Sequence, residues 1–358
     1  MPLRIAYIIS IAYIFLFISC TSRSVISGKE DYTDFPQEQE LKAKTILLDT
    51  ALFRYPFRLH IGDRKAVVLD LHGTDYFFHA FSYPDFRYLS SFGKRGDAPQ
   101  DMLSAENCRW NGAFLWTLDS NKSELTRFEF ALSGDSLLRK EAVNLDKDIL
   151  RALDFVMCEG SAFIIPDYSG DSRFCKVCRD GKLLHKFGTI PTANEDALKN
   201  ARPALAQAWR SFIDYNPRNG VLAAVTQLGE VLEIYNLKDS THVVRIGPHG
   251  EPEFQISEGY GIPTGIMGFS DVQVTDKAIY TVFHGRSFKD IARDAQKGVS
   301  HLDGGQYIYV FSLIGKPLKK YVLDHYICGI SVDEQLGVIY ATDVNRDEPI
   351  LEYSVKTI

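Results

Sequence analysis

The sequence predicts an all-β chain closed into a six-bladed β-propeller, and three observations predict it. The first is a hairpin that recurs. Tyr307–Leu323 alternates apolar and small residues, breaks at Ile314-Gly315-Lys316-Pro317 and then alternates again, as an antiparallel hairpin with glycine at its turn would. The same shape returns around Asp85, Gly134, Gly181 and Asp239, and a sixth copy starts at Ile350. The turns lie about 49, 47, 58 and 76 residues apart, close to the length of a four-stranded blade, and self-similarity at that period points to a propeller or a solenoid. The second observation is that two further strand-like runs precede every hairpin, which makes units of four strands. The third is a mismatch at the ends. The last unit lacks its outer strand, while Ala43–Asp49 precedes the first unit as a surplus strand. If the surplus strand completes the last blade, the ring closes and no blade edge dangles at the seam. A linear solenoid needs no such exchange, so the propeller is expected over residues 43–358.

The N-terminus reads differently. Arg4 supplies a short positive region, and Ile5–Ile18 is an uncharged apolar run too short for a comfortable membrane span, so residues 1–20 read as a signal peptide. The run ends Phe17-Ile18-Ser19-Cys20. A small residue before a cysteine resembles the bacterial lipoprotein signal, which implies that Cys20 is lipidated and becomes the mature N-terminus. An uncleaved anchor and an ordinary signal cut nearby are the alternatives. Residues 21–42 are mostly polar, with Pro36, and are expected to be a flexible tether. Lipid attachment would place the domain in the cell envelope, at the periplasm or outer membrane, with the membrane met only through the anchor.

Composition supports a large folded domain. The 358 residues are 45% hydrophobic and 12% aromatic, far from a disordered chain. A net charge of -6 leaves no polybasic footprint and argues against nucleic acid as a partner. Besides Cys20 there are five cysteines, at 108, 158, 175, 178 and 328. Cys175 and Cys178 have CxxC spacing, but positions three apart face opposite sides of a strand, and no second pair completes a zinc set. They read as small buried hydrophobes, with room for one cross-strand disulfide.

Along the chain, the two leading strands of each unit are expected at Phe57–Ile61 and Ala66–Leu71, Asn107–Trp110 and Ala113–Leu118, Leu153–Cys158 and Ser161–Pro166, Ser211–Tyr215 and Val221–Thr226, Asp271–Thr275 and Ala278–Val282, and Ile327–Val332 and Val338–Asp343. Two connections stand out. Gly285–Gly305 is long, polar and bounded by glycine, with Ile291, Ala292 and Ala295 marking a short helix; it reads as a solvated excursion or as a lid over one face. Glu195–Trp209 is rich in alanine and also compatible with a helix.

Ala278–Arg286 and Tyr307–Asp343 closely resemble the C-terminal blades of the TolB-like six-bladed propeller proteins, found widely as lipoproteins of Bacteroidetes. Phe92-Gly93-Lys94-Arg95-Gly96 and Ile246-Gly247-Pro248-His249-Gly250 are similar to NHL-type blade ends. The second unit departs, ending Arg139-Lys140-Glu141 without Phe-Gly. The resemblance runs from about Phe57 to the end and implies a fold rather than a chemistry.

Candidate chemistry is sparse. Of nine histidines none is paired at a metal-ligand spacing. His72, His284 and His325 follow strands and are the candidates for a shared channel mouth, where a lyase or hydrolase would keep its site. No catalytic set, metal site or cofactor is implied. Asp70, Asp119, Asp167 and Asp343 end second strands and are expected to cap turns. Arg95-Gly96-Asp97 and the two Gly-x-x-Gly steps read as turns, and Trp110, Phe114 and Trp116 as core. The sequence therefore points first to a binding or scaffold module, with a protein, peptide or glycan on one propeller face, and second to an enzyme with a polar channel mouth and Gly285–Gly305 as its lid.

Overall fold

The computed structural model describes residues 28–49 and 53–355. The expected signal peptide and Cys20 lie outside the described residues. Six antiparallel blades of four strands stand in a ring, each ordered from an inner first strand to an outer fourth; five use consecutive strands, and the sixth takes its fourth from the N-terminal segment. The first strands are Pro56–Gly62, Asn107–Asn111, Val156–Cys158, Ser211–Asn216, Phe269–Val274 and Gly329–Asp333. Each first strand packs against those of the two neighbouring blades, so they enclose one central axis. Their chain starts define an entry face and their ends an exit face.

The recurring hairpin is the third and fourth strand of each blade. In the fifth blade, Gly305–Ser312 and Pro317–Ile327 pair across a turn in which Gly315 has φ 80, a left-handed conformation suited to glycine. The ring closes as the surplus strand suggests, but briefly: only Lys44–Thr45 pair, with Glu352 and Leu351, and Ile46 N adds a bond to Ile350 O. Large buried side chains fill the wedges between blades, among them Phe155 and Phe163 between the second and third, and Tyr321 and Tyr353 between the fifth and sixth.

The expected tether needs correction. Its described part, from Gly28, lies against the ring. Gly28–Asp31 adds a fifth strand, parallel, to the outer edge of blade four, and Glu38–Leu41 does the same on blade five. Polar composition misled because these strands bury little, having one side in water. Two aromatic side chains between them supply the grip. Tyr32 donates to the buried Glu230 carboxylate at 2.7 Å, and Phe35 packs against Tyr309 and Phe311. Gly247 comes so close that a Cβ there would sit 2.1 Å from Glu230. The sequence reading also lacked the hairpin of Phe254–Ser257 and Tyr260–Pro263.

Among the described residues the α-helices sit in connections on the entry face. Glu195–Asn200 (α1) and Arg202–Ala208 (α2) fill the predicted helical stretch, breaking at Ala201 ahead of Pro203. Phe288–Gln296 (α3) lies inside the long loop of the fifth blade, its N-terminus capped by Ser287, which accepts from Asp290 N. The four aspartates that end second strands do cap turns: Asp70 accepts from Arg54 N and Tyr55 N, Asp119 from Leu103 N and Lys122 N, Asp167 from Ser169 N, and Asp343 from Asn345 N. Among the described residues the five cysteines are free thiols.

Along the axis the inner strands carry charge, and side chains there bridge every blade boundary. His60 Nε2 donates to Asn107 Oδ1 at 2.8 Å between blades one and two, and Asn107 Nδ2 to Asp154 Oδ1 at 2.7 Å between two and three. Asp154 then accepts from Ile213 N at 2.9 Å, Asp214 from Val274 N at 2.7 Å and Asp271 from Ile330 N at 2.9 Å. Thr342 Oγ1 closes the circuit on Phe57 O at 2.9 Å. Two arginines balance the carboxylates. Arg109 reaches Asp154 and Asp214, both at 3.2 Å, while Arg58 pairs with Asp271 and donates to Ser270 O. Arg58, 1% exposed, also lies 4.3 Å from the Phe212 ring centre and 5.1 Å from that of Phe57. This plug divides the channel at mid-depth.

Two outcomes are expected in urea denaturation. Asp154→Ala strips partners from Arg109, Asn107 and Ile213 N together and should cost about 3–5 kcal/mol. Phe35→Ala should cost about 3 kcal/mol and Tyr32→Phe about 1–2 kcal/mol; unshifted midpoints for both would mean that residues 28–41 are not part of the cooperative unit.

Candidate functional site

Two cavities open side by side at the entry-face mouth, about 360 Å³ and about 270 Å³, and share Phe57, Phe212 and Gln227. A third, about 210 Å³, lies on the exit face beneath Arg109 and Asp214. The plug separates it from the mouth. A larger recess of about 890 Å³ on the first blade is bordered by Phe53 and so adjoins the undescribed residues 50–52. The mouth is therefore the candidate site: its walls come from several blades and every long connection of the fold surrounds it.

Strand register explains the floor. Phe57 and Phe212 stand one residue before the Arg58 and Ile213 positions of their inner strands, so their rings turn toward the entry face above the charged plug. Gln227 follows a second strand and is fixed through its backbone, N donating to Arg210 O and O accepting from Gly268 N, both 2.8 Å. The wider cavity continues over Glu106, Ser120, Asn121, Arg151 and Arg210. Ser120 Oγ donates to Glu106 at 2.6 Å. Burial and the neighbouring Arg151 both lower the proton affinity of Arg210.

The narrower cavity lies under the long loop, which contributes Phe288, Asp303 and Gly304. Asp303 ties that loop to other blades: its carboxylate accepts from Tyr55 OH at 3.1 Å, and its backbone exchanges bonds with the Asn345 side chain. Burial, then Cys328 and Asp303, raise the Tyr55 hydroxyl well above its ordinary range. Burial pushes the Cys328 thiol up to about 12, so it stays protonated and is a poor nucleophile.

The three candidate histidines meet different fates. His284 lines the narrower cavity; its Nδ1 is buried without a partner, and burial followed by Arg286 lowers its pKa to about 4. His72 follows its strand and packs its ring on Tyr55 at 4.8 Å, at the edge of that cavity. His325 does not follow a strand; it lies within Pro317–Ile327, and its Nδ1 is 3.2 Å from Asp343 of the sixth blade. Among the described residues no three His, Cys, Asp or Glu side chains are placed to hold a metal ion. The aromatic trio is split as well. Trp116 is core, whereas Trp110 stacks on Phe130 and borders the exit-face cavity, and Phe114 lies under Arg127. In Arg95-Gly96-Asp97 the arginine is used internally, donating to Gly73 O and covering Phe77.

Arg151, Arg210, Gln227 and Tyr55 were not singled out in the sequence. A positional signal exists, because Arg210 and Tyr55 directly precede inner strands and Arg151 lies in the connection that leads into one, and inner-strand starts converge at the mouth of a propeller.

The fold and its entry-face mouth define a six-bladed propeller with a recessed, polar and aromatic face. The chain belongs to the TolB-like 6-blade propeller-like family, whose pattern it matches over residues 34–335. No curated protein matches it in sequence. Its structure is similar to that of a protein from Bacteroides fragilis described as exported, with TM-score 0.55 and 9% identity over 91% of this chain and 100% of that one. It is also similar to a member of the DUF4221 family from Bacteroides vulgatus (TM-score 0.52, 9% identity, 89% and 98% covered) and to an auxiliary nutrient binding protein from Bacteroides ovatus (0.52, 10%, 85% and 70%). At such identities the likeness concerns the fold. No helix among the described residues is long and apolar enough to cross a membrane.

Two histidines, one at the mouth and one in the recess of the first blade, make stability depend on pH. His284 and the buried His79 are both held neutral down to about 4, whereas an unfolded imidazole protonates near 6.5. The unfolded state therefore takes up protons first, and stability falls as pH drops from 6.5 toward 4. The expected loss is on the order of 2–3 kcal/mol per histidine, and His284→Gln should flatten part of the slope in melts recorded between pH 7 and pH 4.5.

Proposed function

We propose that this chain is a binding propeller of the bacterial cell envelope, anchored through lipid on Cys20 and taking a protein, peptide or glycan ligand at its entry-face mouth. One observation carries this reading: two cavities of several blades' making share an aromatic floor at the mouth, above a channel stoppered by the Arg58–Asp271 pair. Such a floor suits recognition, since rigid aromatic side chains give contact area at low entropy cost and Gln227, Asn121 and Tyr55 add directional polar groups. The long loop and the α1–α2 connection raise walls around it and leave it open above. Kinship in fold with an auxiliary nutrient binding protein and with a protein described as exported accords with the role and place.

A lyase or hydrolase reading has one observation behind it, the neutral His284 beside Tyr55 under the long loop. A pKa near 4 makes that imidazole a weak base at neutral pH, where a general base works best with a pKa near the operating pH.

The test is a screen of glycan and peptide arrays with the soluble chain beginning at Gly28, which keeps the edge strands. A ligand is expected whose affinity drops at least about tenfold in Gln227→Ala, the loss of a buried directional contact. Binding that ignores mouth substitutions would move the site elsewhere. Catalytic turnover that disappears in His284→Gln and on EDTA treatment would favour the enzyme instead.

A further inference from the structure

Five of the arginines of this fold make a contrast. Arg58, Arg109 and Arg173 are buried, and each holds carboxylate: Asp271 for the first, Asp154 and Asp214 for the second, and Glu233 at 2.8 Å for the third. Arg151 and Arg210 line the wider mouth cavity together, and among the described residues neither guanidinium has a hydrogen-bond or ion-pair partner. Glu106, the carboxylate on the same wall, accepts from Ser120 and attracts Arg210 from a distance without a direct ion pair among the described residues. The wall therefore carries two cations and one anion, on a chain whose net charge is -6.

Three features argue that this arrangement is kept for a ligand. Like charges brought together in a half-enclosed place repel and cost stability, so folding alone does not favour them. Arg151 is held at φ 50, a left-handed conformation that disfavours a long side chain, and such residues gather at binding sites. Both arginines also border a second recess of about 180 Å³ beside Tyr260, so the pair forms the ridge between two hollows and is reachable from each.

We propose that the mouth binds a small organic carboxylate, its anion held between Arg151 and Arg210 and its body resting over Phe57 and Phe212. The proposal rests on reading the mouth as a binding site. Guanidinium groups present planar donor forks that match the two oxygens of a carboxylate. At about 360 Å³ the cavity is at the small end of ligand sites, which limits the occupant to roughly the size of one sugar or one aromatic acid. Asn121 and Gln227 are placed on the same walls for hydroxyl groups. An acidic sugar and an aromatic acid offer the same anion, and the probes below separate them.

The experiment is titration calorimetry on the chain from Gly28 with D-galacturonate, ferulate, D-galactose and sodium sulfate. Binding of galacturonate or ferulate is expected with a Kd of about 1 mM or tighter, weakening with added salt, and galactose should not bind. Arg210→Gln should weaken the bound acid at least about tenfold and Arg151→Gln several-fold. Without ligand, Arg210→Gln should melt no lower than the parent chain, because it relieves repulsion; a structural arginine would show the reverse. Failure of both acids, or sulfate binding as tightly as either acid, would overturn the inference. If instead an uncharged array ligand binds in a manner sensitive to Gln227→Ala but not to Arg210→Gln, the carboxylate inference fails while the binding reading stands.

Discussion

Everything in this structure depends on how six separate sheets are held to one another. Within a blade the backbone ladder suffices; between blades there is no ladder. Side chains along the axis solve this by crossing each boundary, five of the six crossings coming from His60, Asn107, Asp154, Asp214 and Asp271 and the last from Thr342 at the end of a second strand. Three of those groups are carboxylates, and buried carboxylates need cations. Arg58 and Arg109 follow from that need, and the stoppered channel follows from Arg58. A device for joining blades therefore also decides that nothing passes through the axis, and leaves the ends of the channel as the places where a ligand can be met.

The contrast between the axis and the mouth gives the functional reading its physical content. In the axis, both arginines are paired with carboxylates. A few ångströms toward the entry face, Arg151 and Arg210 are adjacent and unmatched, above rings already engaged on their lower side by Arg58. A protein that can neutralise buried arginines so thoroughly at one level, and does not at the next, has a surface whose electrostatics are completed from outside.

The architecture was legible in the sequence because blade strands are local and periodic. The paired runs before the hairpins sit within about three residues of the observed strands, and the alternation in Tyr307–Leu323 falls on the pair Gly305–Ser312 and Pro317–Ile327. Edge strands were not legible. Gly28–Asp31 and Glu38–Leu41 have the polarity of a linker, since a strand with one free edge and one wet face has little reason to alternate. Nor could the site be read, because Arg151, Arg210, Tyr55 and Gln227 are isolated along the chain and meet only when the ring closes. The histidines attracted attention as chemically versatile residues, yet only His284 faces the cavity. His325 answers to Asp343 instead, a pairing between neighbouring blades that spacing in sequence does not reveal.

The N-terminal segment has a temporal side. Gly28–Asp31 waits for Val243–Ile246, Glu38–Leu41 for Lys320–Leu323, and Lys44–Thr45 for Leu351–Glu352. As the chain emerges, its earliest residues thus seek partners that appear two to three hundred residues later. The loops that must close are among the longest the chain can form, and contacts of such separation assemble slowly. Until then the edges of blades four and five stand open as templates for any extended chain nearby. A ring arranged in this way can close only once residues 351 and 352 are in place, so its closure comes late in assembly.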